Sequence, residues 1–219
     1  MRGKLITIEG TDASGKSTQL SLLCDHFTRD MRDFKKISFP RYDSESSALV
    51  RMYLGGEFGE DAGAVNPYAA SSFFAVDRVA SYLREWRNYL NNGGCVLLDR
   101  YTTSNAIYQS SKLPENARDK FCDWLFDFEY RLLGLPEPDL VIFLDMPPHL
   151  AEQLLKARGE KEDVHEKNKD YLRSCYNTAC ELAQKFSWHR IPCSENGRIK
   201  TTDEIHSEIF SVVSRVLSE

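Results

Sequence analysis

Five short apolar runs interrupt an otherwise mixed sequence, at residues 4–9, 36–39, 95–98, 140–144 and 188–191. The most apolar of them lack in–out alternation, the pattern of parallel strands covered on both faces. Between the runs, apolar positions recur at helical spacing. Leu20, Leu23, Cys24 and Phe27 share one face after the first run. Asn66-Pro67 supplies the cap and first-turn residue of a helix that the pattern carries to about Leu90, ahead of Gly93-Gly94. A second helix runs from near Pro114-Glu115 to about Gly134, and a third opens at Pro147-Pro148. Thr201-Thr202-Asp203-Glu204 has the capping-box pattern for the last, where Ile205, Ile209, Val212, Val213 and Val216 form an apolar stripe. The alternation predicts an α/β fold: a five-stranded parallel sheet flanked by helices on both faces. No repeat, low-complexity segment or linker divides residues 1–219, so a single domain is expected, with ligands at the carboxyl ends of its strands.

The junction of the first run and first helix carries the clearest chemistry. Gly10-Thr11-Asp12-Ala13-Ser14-Gly15-Lys16-Ser17 is a complete G-x-x-x-x-G-K-[ST] phosphate-binding loop in its strand–loop–helix setting, which makes the expected fold that of the P-loop NTPases. Gly10 and Gly15 allow the tight turn, and backbone N–H groups from Gly10 through Thr18 would surround phosphate oxygens at the positive end of the helix. Lys16 would reach the β- and γ-phosphates of ATP, and the Ser17 hydroxyl would ligate Mg²⁺.

Bulk properties narrow the class. Net charge is −5 with Lys and Arg scattered, against the basic face of a nucleic-acid binder. No run approaches the ~18 apolar residues of a membrane span, and Met1-Arg2-Gly3 leads directly into the first strand, leaving no signal-peptide pattern. The six cysteines form no C-x-x-C pair, and Cys24, Cys95 and Cys122 sit in apolar stretches as reduced thiols do. A soluble protein of the cytoplasm is expected.

Three further clusters bear on which nucleotide enzyme this is. Asp99-Arg100-Tyr101 follows the third apolar run. A carboxylate there suits a Mg²⁺ water ligand or a base for the incoming oxygen, and Arg100 would clamp phosphoryl oxygens. Phe74 and Arg78 lie four apart on one helical face, where a ring can stack on a base and a guanidinium bond its edge. Residues 157–163 are polar and charged around Gly159, the composition of a mobile lid in which Arg158, or else Lys161, would meet transition-state charge.

Together these residues resemble the thymidylate kinases over nearly the whole chain. The resemblance rests on Glu9 through Gln19, Phe39-Pro40, Phe74-x-x-x-Arg78, and Asp99-Arg100-Tyr101 with Ser104 and Tyr108-Gln109. Leu144-Asp145-x-Pro147 leading to Arg158, then Asp163-x-His165-Glu166 and Tyr171-Leu172, extend it. It implies transfer of the γ-phosphoryl group of ATP to dTMP, giving dTDP and ADP in dTTP synthesis. It further implies that Phe74 stacks on thymine and Arg78 bonds its O4. By the same resemblance Asp12 meets the sugar 3′-hydroxyl, Arg100 holds the acceptor phosphate, Tyr108 lies against the 2′ position, and Phe39 and Ser104 line the site. A homodimer is implied as well. The sequence departs from the family pattern in two places. Ala13 occupies a position where some members carry a catalytic Arg, which moves that charge to Arg158 in the lid, about residues 157–166. Phe39-Pro40-Arg41-Tyr42 replaces Phe-Pro-Glu-Arg, setting Arg41, a candidate second clamp on the acceptor phosphate, one place early.

A deoxynucleoside kinase or a kinase for another pyrimidine monophosphate would share most of these features. A monophosphate needs several Arg beside it, and Arg41, Arg78 and Arg100 are available. A regulatory nucleotide-binding switch is disfavoured by the lack of an Asn-Lys-x-Asp segment after a strand.

Overall fold

The computed structural model describes residues 2–59, 61, 63–158 and 169–218, with the backbone alone for 155–158. The five apolar runs form β1 (Leu5–Glu9), β2 (Phe34–Ser38), β3 (Cys95–Asp99), β4 (Leu140–Asp145) and β5 (His189–Pro192). They pair in parallel in the order β2-β3-β1-β4-β5. β2 begins two residues before the expected run. It is an edge strand, where Lys35 and Lys36 are tolerated and dilute the apolar signal.

The helices are α1 (Lys16–Arg29), α2 (Ala48–Leu54), α3 (Pro67–Ser81), α4 (Arg87–Asn91) and α5 (Thr102–Ser110). They continue with α6 (Glu115–Phe126), α7 (Pro148–Arg158), α8 (Lys169–Lys185) and α9 (Thr202–Ser218). Two short strands, β6 (Ser194–Glu195) and β7 (Arg198–Ile199), form an antiparallel hairpin before α9. The expected caps are made: the Tyr68 N–H donates to Asn66 Oδ1 at 2.8 Å, and Thr201 and Glu204 exchange reciprocal bonds of 2.6 and 3.2 Å.

Both long helices differ from the simple pattern. The first passes through a π-helical turn at Tyr82–Trp86 between α3 and α4, which seats the fully buried Trp86 against Ser81. The second leaves α6 through a π-helical turn at Asp127–Leu132. Such turns hold one residue more per bond than an α-helix and re-aim side chains.

Helices cover both faces. Ile6, Ile8, Leu97, Ile142 and Leu144 pack under α1, α7 and α9. Val141 and Phe143 pack under α5, α6 and α8. Leu5, Ile37, Val96 and Leu98 meet Tyr82, Trp86 and Leu90. The register sets Asp99 opposite both Ile8 and Ser38, so the loops leaving β1, β2 and β3 emerge side by side.

Candidate active site

The loop after β1 is shaped by two glycines. Gly15 caps α1 at φ +88°, a conformation that glycine adopts without strain. At Gly10 a Cβ would lie 2.4 Å from Ser14 Oγ and 3.1 Å from the Leu144 carbonyl, so any side chain would collide. Lys16 is 8% exposed and donates to the Thr11 carbonyl at 2.8 Å. Burial, with Arg100 adding, lowers its pKa from 10.5 to about 8. Asp12, Ala13, Gly15, Lys16, Ser17, Thr18, Asp99, Arg100 and Leu154 line an open cleft over this loop. Asp99 Oδ1 is buried there without a hydrogen-bond partner.

Glu9, at the end of β1, is fully buried and organises the strand-end loop beside it. Its Oε1 accepts from the Tyr101 N–H (3.0 Å), Thr103 Oγ1 (2.6 Å) and Ser104 Oγ (3.0 Å), and its Oε2 from Ser104 Oγ (2.8 Å). Burial raises its pKa, against the pull of Arg100 and of the Thr103 and Ser104 hydroxyls. The anchored loop includes Arg100 at φ +64°, whose N–H meets the Ile8 carbonyl at 3.2 Å. Its guanidinium pairs with Asp12 and lies 5.2 Å from the Tyr108 ring centroid, while Tyr108 OH donates to Asp12 at 2.9 Å. Burial works against the charge on Arg100, but Tyr108, Asp12, Glu9 and Asp99 hold its pKa above the ordinary range. Burial likewise pushes the Tyr108 phenol up.

Beyond this cluster lies a second, partly open cavity. Phe39, Phe74, Arg78, Ser104 and Tyr108 line it, together with Pro40, Tyr42, Leu54, Tyr101, Asn105 and Gln109. Asp12 and Arg100 line both this cavity and the cleft over the phosphate loop. The two spaces therefore meet at one ion pair.

The thymidylate kinase family model matches residues 8–209. The chain belongs to the thymidylate kinase family. It is 35% identical over 182 residues to the thymidylate kinase of Mycobacterium tuberculosis, covering 83% of this chain and 81% of that one. A probable thymidylate kinase of Pyrococcus horikoshii is 30% identical over 217 residues, 99% of this chain and 98% of its own. The thymidylate kinase structure from Candida albicans superposes with a TM-score of 0.75 at 25% identity, covering 98% of this chain and 92% of that one. As a member of this family the chain is a phosphotransferase that phosphorylates dTMP to dTDP at the expense of ATP.

The expected residues fall in four places. Asp12, Ala13, Gly15, Lys16, Ser17 and Thr18, with Asp99 and Arg100, line the cleft, Gly10 and Ser14 of the same loop do not, and Phe39, Phe74, Arg78, Ser104 and Tyr108 line the cavity. Arg41 lies elsewhere: its side chain pairs with Glu85 at 2.7 Å, and its N–H is held by Asp77 at 2.8 Å. Arg158 closes α7, and its side chain, Lys161 and most of the expected lid fall outside the described residues.

Arg78 is 2% exposed and makes a bidentate pair with Glu129. Burial opposes its charge, and the Glu129 carboxylate more than compensates, so its pKa is raised. Glu129 and the anchoring role of Glu9 escaped the sequence reading, as did Asn105, whose Nδ2 donates to the Ser71 carbonyl at 3.2 Å. The available signal was Asn105 and Gln109, four apart and adjacent to Tyr108, which share a helical face once α5 is known to be a helix.

Proposed function

We propose that ATP lies over the phosphate loop, that dTMP fills the cavity, and that the γ-phosphoryl group passes between them beside Arg100. The meeting of the two spaces at Asp12 and Arg100 carries this reading. Phe74 would stack on the thymine and Arg78 would bond its O4, with Ser104 and Phe39 completing the walls. Asp12 would orient the sugar through its 3′-hydroxyl, and the Tyr108 ring would exclude a 2′-hydroxyl. Arg100 would hold the acceptor phosphate and stay with it as negative charge develops. Gly10, Asp12, Ala13, Ser14, Gly15, Ser17 and Thr18 would cradle the donor phosphates, with Lys16 at the β–γ bridge. Arg41, paired with Glu85, would contribute only by leaving that partner.

The residues present also fit Mg²⁺. The buried, unpartnered Asp99 Oδ1 and the exposed Ser17 hydroxyl border the same cleft, and Mg²⁺ sites on phosphates use one or two protein oxygens. Held there, the ion would neutralise charge on the transferring group. The remaining positive charge, which Ala13 does not supply, would come from the lid at about 157–166, with Arg158 first.

We read residues 1–219 as one kinase domain working as a homodimer. Ala69, Val76 and Leu83 fall seven apart on the exposed side of α3 and the turn that follows it, which supports a self-complementary helix contact. Six free cysteines, with Cys122 pushed up to about 11 and Cys175 to about 12 by burial, suit a reducing cytoplasm. The test is ADP release from ATP and Mg²⁺ with dTMP, dUMP, dCMP, UMP and thymidine. Strong preference for dTMP over UMP and thymidine is expected. Turnover of thymidine would remove the acceptor-phosphate role from Arg100.

A further inference from the structure

We propose that Glu129 is the positioning residue that makes the acceptor site reject 4-aminopyrimidine nucleotides, by fixing the guanidinium of Arg78 in one orientation. The inference rests on the reading of Arg78 as the group that meets the base. Glu129 is wholly buried in the π-helical turn between α6 and β4. Its Oε2 accepts from Arg78 Nε at 2.7 Å and its Oε1 from Arg78 Nη2 at 2.6 Å. One edge of the fork is thereby consumed, and Arg78 presents the remainder to the cavity that it lines. The same Oε2 accepts from Thr102 Oγ1 at 2.7 Å. Thr102 opens α5, the helix that carries Ser104, Asn105, Tyr108 and Gln109. One carboxylate therefore locks the base side of the cavity to its sugar side.

A guanidinium only donates hydrogen bonds, so it suits a carbonyl at position 4 and opposes an amino group there. Opposition discriminates only if the cation cannot turn away. An unclamped arginine has several rotatable bonds and would swing aside. Held by two charge-assisted bonds to a wholly buried carboxylate, it stays. The rejection thus originates in a residue that does not touch the nucleotide.

The test compares wild type, Glu129→Asp, Glu129→Gln and Arg78→Lys as full-length proteins, measuring kcat and KM for dTMP and dCMP and KM for ATP. Glu129→Asp keeps a buried carboxylate but, one methylene shorter, loosens the bidentate grip, and it should fold even if Glu129→Gln does not. The dTMP-to-dCMP ratio of kcat/KM should fall by about tenfold or more in Glu129→Asp, the scale of one charge-assisted hydrogen bond. The change should reside in KM for the pyrimidine nucleotides, with KM for ATP unmoved. A folded Glu129→Asp that keeps the wild-type ratio, while Arg78→Lys loses it, overturns the inference and leaves the role of Arg78 intact. Losses shared equally by dTMP, dCMP and ATP would make Glu129 merely structural and also overturn it. An Arg78→Lys enzyme with the wild-type ratio would overturn the underlying reading of Arg78, and this inference with it.

Discussion

Raising the pH from 7 to 9 should weaken ATP binding through Lys16 before any other residue of the phosphate loop is affected. Lys16 is 8% exposed, and its ammonium sits near Arg100 and has a pKa of about 8 in place of 10.5. At ~1.4 kcal/mol per pH unit, holding that charge in the empty cleft costs about 3 kcal/mol. A bound triphosphate supplies the missing counter-charge and returns the pKa towards its ordinary value. Below about pH 8 the proton is already in place, and affinity is flat. Above it, binding must take up a proton, and the apparent Kd should rise about tenfold per pH unit. Titration calorimetry with a non-hydrolysable ATP analogue, in two buffers of different ionisation enthalpy, would read both quantities. Close to one proton should be taken up per ligand at pH 9, and almost none at pH 7. The sign for stability is opposite. Between about pH 8 and 10.5 the unfolded chain holds a proton that the folded one has released, so the cost of this lysine to the fold is progressively relieved as pH rises. Lys16→Met should accordingly raise Tm at pH 7 while abolishing turnover. A Kd constant from pH 7 to 9.5 with no proton uptake would refute the argument.

Phe74→Ala should raise KM for dTMP by the ~1–3 kcal/mol of a base–aromatic stack with little change in kcat; an unchanged KM would return Phe74 to a packing role against Tyr53. Gly10→Ala places its Cβ 2.4 Å from Ser14 Oγ, and the ~1–3 kcal/mol of overpacking should appear as weaker ATP binding and a lower melting temperature. Asn66→Ala removes the cap of α3 and should cost about 1 kcal/mol of stability in urea unfolding while leaving kcat for dTMP near wild type.

What the sequence revealed tracks how local the determining interactions are. The phosphate loop was legible because its strand, glycines, lysine and helix are contiguous. The caps at Asn66 and Thr201 were legible for the same reason. α5 was not, because its residues are mostly polar although eight of the nine are buried, leaving no apolar stripe to set a period. The π-helical turn at 127–132 continued an apparently ordinary helical pattern, and nothing local marked Glu129 as the partner of a residue 51 positions earlier. The surroundings of Arg41 were not legible for a related reason. Its neighbourhood is set by Asp77 and Glu85 on the helical segment around α3, a contact that no spacing along β2 announces.

The central position of β1 also bears on how the chain acquires its activity during synthesis. Leu5 waits for Val96 and Ile6 for Leu140 before either edge of that strand is covered. Pairings so distant in sequence make for slow, late closure. The phosphate loop, which leaves the end of β1, is thus among the last segments to become competent. Nucleotide in the cell can stabilise the finished enzyme by mass action but offers no help to the nascent chain. Until β4 emerges, the apolar face of residues 5–8 depends on transient shielding by other means.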